Sequence, residues 1–235
     1  MTNSNEASLF LRIFFRLHIM VRAGNISNFV YTGNMVITWY GNACFGVETR
    51  ERGVEPKTLL FFPHDRTSRS HAMEERAAII VAPQDAKTAG QGFHIDTPGE
   101  YEMAGFMVHG IQLPAIGSFS ACMRVVVEEM RVAWMAAFPG KALSDKEIDE
   151  IGEVDVLLLP LNQEKGGKFS AADAEAAVHF MNEIEPHIAV PFARDEKTMK
   201  VFLEEAGVKN PVAQEKLVLK QKDLPEETSI ILLKV

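Results

Sequence analysis

Imidazole and carboxylate side chains bind metal cations and move protons, and they are the side chains of this chain whose types could do chemistry. His64, Asp65 and His71 fall in one polar loop that runs from Pro63 to Glu75, and they form a candidate ligand set. The plainer reading of the same residues is a solvated loop. Glu100 and Glu102, two apart in PGEYE, would share one face of a strand and have the types of a paired acid and base. Nothing in the sequence marks a partner that would shift either pKa. Gln84, Asp85 and Lys87 follow the apolar run AAIIVA in a loop that holds no histidine. His94 and His109 lie in strand-like segments, His179 on the polar side of a helix and His187 at the start of a strand, which suits structural histidines. No G-x-S-x-G elbow, phosphate loop or dinucleotide fingerprint occurs, and Gly166-Gly167 lacks the context of one.

The elements that must position these groups are read from periodicity. AAIIVA, Ala77–Ala82, is a short continuous apolar run bounded by Pro83, which predicts a strand covered on both faces in a layered α/β fold. The loop after such a strand opens at a sheet edge, where ligands bind in α/β proteins. GFHID predicts another strand, and Pro98-Gly99 a tight turn. Val36–Tyr40, Ala43–Thr49 and Thr58–Phe62 read as strands punctuated by Gly41 and Gly53. Phe106–Ile111, Ala121–Glu129 and Arg131–Ala136 read as further strands, the last two a hairpin turning at Glu129-Met130.

Helices enter in the second half. Ser144-x-x-Glu147 is a capping box for a short helix that turns Ile148 and Ile151 inward. Val154–Pro160, VDVLLLP, is a second buried strand. Ser170 caps AADAEAAVHFMNEI, where Ala174, Ala177, Met181 and Ile184 form one stripe, and Pro186 stops it. HIAVPF is a strand, Glu196–Ala206 a helix ended by Gly207, and Ile230–Val235 a last strand after LVLKQKDLPEE.

The 235 residues, 47% of them hydrophobic, are enough for a sizeable core. A net charge of −8 and a pI near 5.4 argue against a nucleic-acid binder, and no apolar run is long enough to read as a membrane-spanning helix. An acidic cytoplasmic protein is the expectation. Cys44 and Cys122 both lie in apolar strand-like segments, which suits buried thiols better than a disulfide framework, although a bridge stays open. Residues 1–34 differ from the rest: SLFLRIFFRLHIMVRAG interrupts apolar residues with Arg12, Arg16 and Arg22, unlike a signal peptide. An N-terminal extension outside the fold, from a start codon assigned too far upstream, is the expectation; a peripheral membrane or partner-binding helix is the alternative.

From Met35 to Val235 the chain resembles the small bacterial zinc-dependent hydrolases of the metallo-β-lactamase fold. The segments that carry the likeness are VITWYGNACFGVET, TLLFFP, AAIIVA, PGEYE, VDVLLLP, EPHIAVP and LVLKQKDLPEE, all in the family's order. The resemblance implies a single domain over residues 35–235, an α/β (α+β) fold built as a four-layer αββα sandwich. It also implies a metal site of His and Asp on loops at one edge of the two sheets, where zinc would make hydroxide available.

The site positions implied by the likeness carry other residues. Pro83 and Asp85 stand where the first two histidines of the family's H-x-H-x-D-H loop belong, and Lys87 and Thr88 replace its aspartate and last histidine. Asn42 stands where a Gly-His pair is common, Phe138 at the bridging aspartate, and Ala193 at the final histidine. Lys87 would repel a cation, and the ring of Phe138 would take volume that metal and water need. PGEYE is implied to be structural support. No zinc or other cofactor is therefore expected. The leading expectation is a non-catalytic protein that binds a protein or small-molecule partner or helps build an assembly, with a homo-oligomer among the options. The alternative is a metal-dependent hydrolase with relocated ligands, for which His64, Asp65 and His71 are the set.

Overall fold

The computed structural model describes residues 34–50, 53–62, 68–83, 86–113, 122–135, 137–138, 143–161 and 169–235. The expectation for the N-terminal extension falls outside these residues, except that Asn34 is already the first residue of a strand.

Two large sheets make the middle layers. The first contains β1 (Asn34–Trp39), β2 (Phe45–Arg50), β3 (Thr58–Phe61), β4 (Ile79–Val81), β5 (Phe93–Ile95) and, late in the chain, Leu217–Leu219, which pairs antiparallel with β1. The second contains β6 (Gly99–Met103), β7 (Phe106–Ile111), β8 (Cys122–Val127), β9 (Met130–Met135), β10 (Val156–Pro160), β11 (Ile188–Phe192) and Ser229–Ile230. Its first four strands form an antiparallel meander, and β9, β10 and β11 run parallel.

The alternation of side chains along each strand explains the layering. Ile37, Phe45, Leu59 and Phe61 of the first sheet face Phe106, Val132, Trp134, Leu158 and Val190 of the second, and this is the main core. On β10 the neighbours Leu157 and Leu159 point the other way, into a core under the helices. Every residue of β10 and β11 is thus buried, as the continuous apolar runs predict. The helices over this face are α2 (Asp145–Ile151), α3 (Ala171–Ile184) and α4 (Glu196–Glu205), and α1 (Ser68–Glu74) brings Met73 to the outer face of the first sheet beside Leu60 and Ile80. The order helix, sheet, sheet, helix is the αββα sandwich.

The expected capping box forms, and the Ser170 cap proves to be a second one. Ser144 with Glu147 starts α2, and Ser170 with Asp173 starts α3. The α3 stripe is Ala174, Ala177, Met181 and Ile184 with Phe180 added.

Three local expectations need correction. The stretch from Pro63 to Glu75 is not all loop, because α1 occupies its second half; two turns of polar sequence carry little periodicity to read. The β8–β9 hairpin turns at Glu128-Glu129, both with positive φ (50° and 61°), so Met130 is already in the strand. The last strand is broken in two: Ser229–Ile230 joins the second sheet, while Leu232–Leu233 pairs with Ala213–Gln214.

Candidate functional site

The C-terminal ends of β1, β3, β4, β9, β10 and β11 reach the same edge of the sandwich, since ring contacts and hydrogen bonds tie them there. The turn between β1 and β2 lies at this edge. Gly41 has φ 101° and Asn42 φ 46°, a left-handed step that asparagine tolerates better than most residues. Tyr40 N–H donates to Cys44 O and Cys44 N–H to Gly41 O, both at 2.9 Å, which closes the turn. The backbone carbonyl of Asn42 accepts from Trp39 Nε1 at 2.8 Å.

Phe61 ends β3 and Phe62 follows it. Phe62 has φ 46°, and its N–H donates to Val81 O at 2.8 Å. After β4, Ala82 N–H donates to Ile95 O at 3.2 Å and the carbonyl of Pro83 accepts from Ala86 N–H at 2.9 Å. The side chain of Lys87 is exposed. Thr88 places its hydroxyl 3.1 Å from His94 Nε2. The next residue, Ala89, donates its N–H to Glu74 Oε1 at 2.5 Å, and the Glu74 carboxylate is wholly buried. His71 Nδ1 lies 3.6 Å from Glu74 Oε2, and its Nε2 3.9 Å from Glu75.

In the second sheet, Trp134 near the end of β9 points between the sheets. Its ring is stacked on Phe61 at 4.8 Å and 7°, tilted against Phe62 at 4.8 Å, and its Nε1 donates to Ala43 O at 3.1 Å. Phe192, at the end of β11, meets Phe45 edge-on at 5.0 Å. The space between the sheet ends is therefore filled with aromatic rings.

The structure divides the positions singled out in the sequence. Asn42 lies in the turn beside the aromatic group. Phe138 is 3% exposed and lies on the helix side of the second sheet against Phe180 of α3, with ring centroids 6.3 Å apart. Ala193 is buried in the same helix-side core. Phe138 thus packs under the helices, and the ring between the sheet ends is that of Trp134, whose strand neighbour Met135 points to the helix side. Trp134 escaped notice because a tryptophan within an apolar strand reads as ordinary core. Asp85, His64 and Asp65 lie outside the described residues. Glu100 and Glu102 are exposed on the outer strand β6, opposite His109 and Met107 of β7.

Zinc needs three or more imidazole, carboxylate or thiolate donors converging on a point. Among the described residues no three His, Cys, Asp or Glu side chains do so. Pro83, Lys87, Thr88, Phe138 and Ala193 offer a pyrrolidine ring, an ammonium group, a hydroxyl, a phenyl ring and a methyl group, and this set does not fit the ion. The one nearby thiol in the second sheet, Cys122, is pushed up to about 12 by burial, against a smaller opposing pull from Arg124, so it stays protonated.

The sequence model of the family described as beta-lactamase superfamily domain matches residues 36–193. Among solved structures, a Thermotoga maritima protein provisionally assigned as a zinc-dependent hydrolase of the metallo-beta-lactamase superfamily is similar, with a TM-score of 0.62 and 22% identity. The match covers 86% of this chain and 100% of that one, and it shows the fold. A Parabacteroides distasonis protein provisionally assigned as a metal-dependent hydrolase has a TM-score of 0.48 and 11% identity, over 83% of this chain and 92% of that one. No curated protein matches.

Proposed function

The chain belongs to the beta-lactamase superfamily, and from that premise we propose that it is a non-catalytic member: a cytoplasmic protein that keeps the hydrolase sandwich and binds a protein or small-molecule partner, or helps build an assembly. The observation that carries this reading is the chemistry of the loop after β4 and of the strand ends around it. A hydrolase of this fold needs a metal to lower the pKa of its water, and the metal needs anionic or imidazole ligands. Here the equivalent positions hold asparagine, proline, aspartate, lysine, threonine, phenylalanine and alanine, with a single carboxylate and no imidazole among them. The exposed ammonium of Lys87 adds a charge of the wrong sign to that loop. Among the described residues no helix is long and apolar enough to cross a membrane, which accords with a partner met in solution.

Metal analysis of the purified full chain after mild dialysis, with an esterase and phosphodiesterase screen, tests the reading. Well under one zinc per chain and no turnover are expected. Stoichiometric zinc that disappears in a His64→Ala/His71→Ala double variant, with turnover lost in parallel, would instead establish a hydrolase with relocated ligands.

A further inference from the structure

Two stacked sheets must be held together at their ends, and at this edge the two tryptophans of the chain converge on one turn. Trp39 Nε1 donates to the carbonyl of Asn42, and Trp134 Nε1 donates to the very next carbonyl, that of Ala43. Trp39 belongs to the turn's own sheet, whereas Trp134 reaches across from the other. Its indole also touches both Phe61 and Phe62 at 4.8 Å.

That double contact is unusual in its geometry. Consecutive residues of a strand point to opposite faces, so two adjacent rings can meet one indole only if the backbone reverses between them. Phe62 has φ 46°, a left-handed conformation that a bulky aromatic residue rarely adopts and that is strained. Strain of this kind persists only where neighbouring contacts more than offset it. Among the contacts that hold Phe62 are its N–H bond to Val81 O and its ring on Trp134.

We infer that Trp134, held by Phe61 and Phe62 and bonded to Ala43, is a metal-free tie between the two sheets at the edge where the family's metal would sit. A metal held by loops from both sheets couples binding energy to folding. Aromatic stacking and an indole hydrogen bond do so here without an ion. The tie is independent of whether any chemistry survives nearby, so it stands or falls separately from the functional reading above.

Hydrogen exchange of the full chain, wild type against Trp134→Phe, tests the tie, because phenylalanine keeps a ring and removes only the N–H and part of the stack. The amides of Tyr40 and Cys44, which close the turn, are expected to exchange about tenfold faster. The amide of Ile188, bonded to Asp155 O at the opposite end of the sandwich, should change by less than about twofold. Equal acceleration at both ends, as for any core residue, or no acceleration at the turn, overturns the tie.

Phe62→Gly adds a test of sign. Glycine adopts φ 46° without strain, and that relief offsets the entropy glycine adds to the unfolded chain, so loss of an idle ring would leave Tm unchanged or raise it. A tie predicts that Tm falls by about 5 °C or more. A raised or unchanged Tm overturns it, as does a rise of several degrees when zinc is added to the wild type.

Discussion

Arg131 at the head of β9 grips Asp155 just before β10. Its Nε donates to Oδ2 at 2.9 Å, its Nη2 to Oδ1 at 2.8 Å, and its own backbone N–H to Oδ2 at 2.6 Å. Asp155 is 3% exposed. Arg131 also pairs with Glu153, and the hydrogen bond to Asp155 is the main reason that its guanidinium is held above its ordinary pKa. The fork fixes the starts of two parallel strands at the end of the sandwich opposite Trp134. Asp155→Ala is expected to cost about 3 kcal/mol, since it leaves a half-buried guanidinium without its bidentate partner. Urea denaturation of the variant, with Asp155→Asn as an intermediate case, measures this.

Asp195 caps α4, accepting from Thr198 N–H at 2.8 Å and from the Thr198 hydroxyl at 2.9 Å. These bonds, the backbone one first, hold its carboxyl below the ordinary 3.8. A depressed folded-state pKa stabilises the protein fully above the unfolded-state value and loses that contribution as pH falls through the folded value. The gap in Tm between wild type and Asp195→Asn is therefore expected to be constant at neutral pH and to shrink as pH drops below 3.8. A gap unchanged by acid would remove the cap from the account of acid sensitivity.

Gly90 sits where a Cβ would come within 2.3 Å of the Glu74 carbonyl oxygen and 2.4 Å of Ile80 Cδ1. The loop that bears Lys87, Thr88 and Ala89 thus lies tight against the end of α1, with Glu74 receiving the Ala89 N–H. Gly90→Ala forces backbone apart and is expected to cost about 2 kcal/mol. Calorimetry on the variant decides; a neutral result would mean that this loop yields without strain.

Cys44 and Cys122 are both fully buried and form no disulfide. A disulfide-exchange reagent at pH 8 is expected to label neither thiol in the native protein and both once it is unfolded in urea, because only an exposed thiolate reacts. Labelling in native conditions would show that the strand ends open.

The buried strands and the capped helices were legible because each rests on a local signal, whereas the layer order rested on the family resemblance. VDVLLLP has no polar face to show, and Ser144 with Glu147 announces its helix within four residues. The ends of strands were harder. Phe138 and Trp134 are four residues apart on one segment, yet one faces helix α3 and the other the opposite sheet, and only the partner across the core decides which. The Arg131–Asp155 fork joins residues that nothing in the sequence pairs. Likewise, two turns of polar helix at α1 left no periodic trace, although they place the buried carboxylate of Glu74 against the loop at the site edge.

The pairing of β1 with Leu217–Leu219, Met35 opposite Leu219, bears on how the molecule is made. During synthesis from the N-terminus β1 and β2 can zip as a hairpin early, but the outer side of β1 waits for a strand that emerges long afterwards, Leu217–Leu219. Until then its N–H and C=O groups, flanked by Met35 and Ile37, form an open template for strands of other chains. Pairings so distant in sequence also close slowly. The nascent chain is thus most prone to aggregate before Leu217–Leu219 has left the ribosome, and its outer β1 edge is the surface that chaperones would have to shield until then.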